Sequence, residues 1–119
     1  MLKTSRGLKK IGYAINGADD WSAGVAGYEV VPGLFAVRRS NAGGPWAWSV
    51  DHLPSGYRMD KKGYLPTRAA AVIMVEELMR TKYPWSRIKN DKGVPLAFGR
   101  KARVALYLAH DRAMKRLNP

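Results

Sequence analysis

The sequence contains no cysteine, which excludes disulfides, thiolate metal ligands and a cysteine nucleophile. Acid is scarce too: nine Asp and Glu stand against 21 Lys and Arg, a formal charge of +12. Long apolar runs are missing. The longest, Ala69 to Val75, falls far short of a membrane span. The opening stretch MLKTSRGLKKIG is basic and lacks the apolar core of a secretory signal. A cytoplasmic protein that does not engage a membrane is expected. Histidine occurs twice, at His52 and His110, and neither sits in a metal-ligand spacing. No H-E-x-x-H, Walker-type, G-x-S-x-G or Rossmann glycine pattern is present. The expectation is a protein with no cofactor, no metal and no catalytic residues.

What remains is ordinary material for one domain. Of 119 residues, 46% are hydrophobic and 25% charged, and four Trp and six Tyr can fill an interior; a single compact core follows. The charge is the outlier. Self-repulsion at +12 opposes compaction, so a polyanionic partner is the natural inference.

Residues 1–18 carry Lys3, Arg6, Lys9 and Lys10 with glycines at 7, 12 and 17, and read as a basic arm or a short, poorly capped helix. Small residues from Ser22 to Gly27 read as a connector within a single α+β domain spanning 19–119. Residues 28–64 have the signals of an antiparallel meander of three to four strands. Tyr28 to Val31 stops at the turn dipeptide Pro32-Gly33, and Leu34 to Arg39 resumes as a strand. Alternation puts Phe35 and Val37 on one face, with Ala36 and Arg38 on the other. In the next strand Trp46, Trp48 and Val50 oppose Ala47, Ser49 and Asp51. Pro54-Ser55-Gly56 turns into a short strand around Arg58.

A helix is expected over 67–82, with Thr67 as its N-cap. Its apolar face is Ala71, Met74, Val75, Leu78 and Met79, and Glu76, Glu77 and Arg80 lie opposite. Residues 83–98 read as a basic loop. A second helix over 100–117 carries the stripe Ala102, Leu106, Ala109, Ala113 and Leu117.

Asp51 and His52 are the one adjacent acid–base pair, and strand neighbours point to opposite faces. They read as a solvated Asp and a strand-end His, with His110 a partly buried packing residue. Between Arg80 and Arg103 stand eight Lys or Arg and one acid, Asp91. Such arrays neutralise phosphates and release counterions. Trp85 is the aromatic assigned to an interface, while Trp46 and Trp48 divide between core packing and base stacking.

The stretches LFAVRR, WAWSVDHLPSGYRM and YLPTRAAAVIMVEEL are similar to the three-stranded-sheet-plus-helix DNA-binding domain of plant ethylene-response factors. They look equally like the arm-binding domains of phage integrases. Trp48, Gly56, Tyr64, Thr67 and Ala70 carry the likeness, which covers about residues 34–82. The resemblance implies that the solvent face of the sheet enters the DNA major groove. Arg38 and Arg58 would then approach base edges, while Arg39, Lys61 and Lys62 touch phosphates. The charge alone adds Arg87, Lys89, Lys92, Arg100, Lys101 and Arg103 to the nucleic-acid-binding set. The function expected is a small basic, non-catalytic nucleic-acid-binding protein, with DNA favoured over RNA. The alternative is a phage-type accessory or effector protein that docks on an acidic protein or ribonucleoprotein surface.

Overall fold

A computed structural model of the chain describes residues 7–16, 21–39, 48–59, 65–87 and 100–118. They form strands β1 (Lys9–Asn16), β2 (Trp21–Val31), β3 (Phe35–Arg39) and β4 (Trp48–His52), and helices α1 (Arg68–Arg80) and α2 (Arg100–Leu117). The strands lie in chain order, β1-β2-β3-β4, each antiparallel to the next. The class is α+β, with the meander and the two helices that alternation and helical period indicate.

The hairpin between β2 and β3 shows why the sequence turns there. Gly33 has a φ of +69°, a left-handed conformation that favours glycine. Its N–H donates to the Glu29 carboxylate at 2.9 Å. One face of the sheet supplies Phe35, Val37 and Val50 to a core completed by Met59, Leu65, Met74, Val75 and Leu78. Helix α1 starts where Thr67 Oγ1 accepts from the Ala70 N–H at 3.0 Å, satisfying one of the orphan donors of its first turn. Helix α2 adds Leu106 and the small side chains of Ala102, Ala109 and Ala113, which let it pack close to its neighbours.

Several expectations need correction. Residues Lys9–Asn16 are a strand, not an arm or short helix, and the Ser22–Gly27 connector is the middle of an eleven-residue strand. In β1, Ile11, Tyr13 and Ile15 alternate with small or basic residues, a period of two that the glycines obscured. The strand at Arg58 is a single bridge to Asp51. Met79, assigned to the apolar face of α1, is exposed, whereas Glu77, assigned to the polar face, is buried. Arg116 is the reason. Its guanidinium reaches from α2 to Glu77 Oε2 and Glu76 Oε1, both at 2.8 Å, so the carboxylate is paired where α2 covers it.

Asp51 is also buried rather than solvated, and His52 is fully buried rather than frayed at a strand end. They do face opposite ways. Asp51 meets Tyr13 and Arg38 on the sheet face away from the core, while His52 packs on Phe35 and Trp85. His52 Nε2 lies 2.7 Å from the Trp85 carbonyl and Nδ1 lies 2.6 Å from Ser55 Oγ. A carbonyl only accepts, so Nε2 holds the proton and Nδ1 accepts from the Ser55 hydroxyl. Burial pushes the imidazole below its ordinary pKa, partly opposed by the Trp85 carbonyl, and the ring is neutral. His110 is half-buried on α2.

Candidate nucleic-acid interface

The sheet face expected to meet DNA is largely closed. Gly27 of β2 lies against Arg38 of β3, Arg38 pairs with Ser49 of β4, and two residues along β3 Ala36 pairs with Asp51. Gly27, Ala36, Ser49 and Asp51 are all buried. Tyr13 of β1 lies across this row and donates its hydroxyl to Asp51 Oδ2 at 2.7 Å. Arg38 Nε donates to the same oxygen at 2.8 Å, and the Arg38 side chain is only 14% exposed. Burial raises the Asp51 pKa, against the pull of Arg38, Tyr13 and Arg58, and burial together with Asp51 pushes the Tyr13 hydroxyl far up. Arg38 is therefore an internal counter-ion, not a group presented to base edges. An alternating Arg on a strand looks solvent-facing until a second layer crosses it, and the layer here is the tyrosine of a strand that its glycines disguised.

Trp85 requires the same correction. It is buried, its indole N–H donates to the Leu78 carbonyl at 3.0 Å, and its ring stands edge-on to Phe35 and beside Tyr83. Trp48 is half-buried against Tyr28, at the margin of the core, with Arg68 over the other ring of that pair at 4.6 Å. Of the other expected contacts, Arg39, Arg58 and Arg87 are exposed on β3, opposite Asp51, and beyond α1 respectively. Lys61, Lys62, Lys89 and Lys92 lie outside the described residues, as does Trp46.

Arg100, Lys101 and Arg103 are brought together, all exposed, on the first turns of α2. The same helix exposes Arg112 and Lys115, which lie outside the nucleic-acid-binding set expected from the sequence. Among the described residues none of these five makes an ion pair, whereas Arg38, Arg80 and Arg116 all do. The described acids explain the imbalance. Glu29 is held by the Gly33 amide, Asp51 by Tyr13 and Arg38, and Glu76 and Glu77 by Arg116. Asp111 alone stands exposed on α2.

The outward face of α2 also carries the largest exposed hydrophobic groups: Val104 at 59%, Tyr107 at 46% and Leu108 at 42%. At about 100° per residue these three share one arc. Arg103 lies about a quarter turn to one side of that arc and Lys101 and Arg112 about a quarter turn to the other. Arg100 and Lys115 extend the arc at its two ends. The signal was in the sequence, since Val104, Tyr107 and Leu108 fall off the buried stripe and are too apolar for an idle solvent face.

Among the described residues no helix is long and apolar enough to cross a membrane. No family model, curated protein or solved structure matches the chain.

Proposed function

We propose that this chain is a small basic, non-catalytic nucleic-acid-binding protein, and that α2, rather than the sheet, is its principal contact surface. The observation that carries the reading is the set of five exposed cations on one helix, with no carboxylate paired to them among the described residues. Among the described acids Asp51, Glu76 and Glu77 are paired with Arg38 and Arg116, so the five α2 cations are left at the surface without a described partner. A polyphosphate backbone is the partner that such a surplus attracts, through release of condensed counterions. Arg39, Arg58 and Arg87 would extend the attraction beyond α2.

A protein partner is the competing reading, and the exposed Val104, Tyr107 and Leu108 favour it. They are three neighbouring side chains, each only about half exposed, and make a small apolar patch. A stable protein interface needs roughly 800 Å² from each partner. The patch is small for that role and the charge around it large, so nucleic acid is favoured.

Fluorescence anisotropy with a labelled duplex at rising salt is the test. The binding constant should fall steeply and log-linearly with salt concentration. Absence of binding at low salt, with a protein partner recovered from nuclease-treated lysate, overturns the reading.

A further inference from the structure

We propose that α2 lies in the major groove of B-form DNA, with Val104, Tyr107 and Leu108 against thymine methyl groups and the flanking cations on the two phosphate walls. The inference rests on the nucleic-acid reading above and deepens it to a groove, a duplex form and a base preference.

A face that only collected phosphates would carry charge throughout. Here Arg103 stands on one flank and Lys101 and Arg112 on the other, while the midline carries Val104, Tyr107 and Leu108 between the charged Arg100 and Asp111. A helix with its side chains is about 10–12 Å across, close to the roughly 12 Å width of the B-DNA major groove. A helix seated there turns its midline to the base edges and its flanks to the two backbones. Arg100 and Lys115 stand at the ends of the midline, about 22 Å apart at 1.5 Å per residue.

The chemistry of the midline then selects what it can read. The thymine C5-methyl is the one apolar group that the major groove displays, and it is the group Val104 and Leu108 can bury. Asp111, also on the midline, is an acceptor that suits a cytosine amino group and opposes phosphate. Placement between the walls accounts for an acid in an otherwise cationic field. Duplex RNA fits poorly, because its A-form major groove is too narrow and deep for a helix to be read there.

The full-length chain is titrated with a short A·T-rich DNA duplex, the same duplex with deoxyuridine for thymidine, and the corresponding RNA duplex, at one salt concentration. Loss of the methyl groups should weaken binding by about fourfold for each methyl contacted, and duplex RNA should bind more weakly than either DNA. Val104→Ala/Leu108→Ala should discriminate less between the thymidine and deoxyuridine duplexes than the parent does, with an unchanged salt slope. Both positions are exposed, so the variant should melt like the parent. Equal affinity of the parent for thymidine and deoxyuridine duplexes, or tighter binding of duplex RNA, overturns the groove assignment while leaving nucleic-acid binding standing. No binding to any of the three overturns both.

Discussion

Among Gly7, Gly12 and Gly27, alanine should cost most at Gly27. A Cβ on Gly27 would lie 2.7 Å from the Tyr13 hydroxyl, 2.7 Å from the Val37 carbonyl oxygen and 3.0 Å from Arg38 Cβ. The carbonyl belongs to the neighbouring strand and cannot swing aside, so the sheet must shift locally, at about 1–3 kcal/mol. Tyr13 must also leave Asp51, and a buried carboxylate that loses a donor costs about 1–3 kcal/mol more. The lost freedom of the unfolded chain returns about 0.4–1 kcal/mol. Gly27→Ala should therefore destabilise by about 2–4 kcal/mol, a fall in Tm of roughly 8–15 °C for a chain of this size. Urea unfolding of the parent, Gly27→Ala, Tyr13→Phe and the double variant forms a cycle that isolates the tyrosine's share. With the hydroxyl already gone, the alanine should cost at least about 1 kcal/mol less. A Gly27→Ala protein as stable as its parent would show that Tyr13 does not cross this face, and the sheet surface would again be open to a partner.

Other outcomes follow from the same contacts. Arg38→Met should destabilise the fold by about 2–4 kcal/mol by leaving Asp51 buried without its cation, yet change DNA affinity of the folded protein less than twofold; a large loss of affinity would return Arg38 to the binding surface. Arg116→Met should cost about 1–3 kcal/mol, discounted because the guanidinium is partly exposed, and urea unfolding should show much of that cost recovered when Glu77→Leu is added. His52 has a folded pKa below the ordinary 6.5, so its contribution is intact above pH 6.5 and declines as pH falls toward the folded value. Asp51, with a raised pKa, acts in the opposite sense, contributing most at low pH. The histidine is therefore read as the difference between parent and His52→Gln in thermal melts, which should narrow as pH drops from 7 to 5.

The sheet and helices were legible because their core faces keep a strict period. Phe35, Val37 and Val50 alternate on β3 and β4, and Ala102, Leu106, Ala109 and Ala113 recur down α2. The first two strands were not, because Gly12 and Gly27 read as breakers. Gly27 serves close approach, a requirement that only the position of Tyr13 reveals. The site was half legible for a related reason. Charge density marks Arg100, Lys101 and Arg103, which do lie exposed on one helix. It cannot distinguish them from Arg38, whose cross-strand acid sits thirteen residues away in sequence. Trp85 misleads likewise, since a tryptophan among basic residues looks like an interface until Phe35 and His52 are found against it. Glu77 shows the same limit on a helix: its burial depends on Arg116, 39 residues away.

The dependence of DNA affinity on salt, compared between the parent and a Lys101→Gln/Arg103→Gln/Arg112→Gln/Lys115→Gln variant of matched Tm, bears most directly on α2 as the contact surface. Each phosphate contact contributes about 0.9 to the slope of log affinity against log salt. The variant's slope should be shallower by about 3.6, with affinity reduced by orders of magnitude at low salt. A slope and affinity unchanged from the parent would contradict the account and move the contact to another face of the molecule.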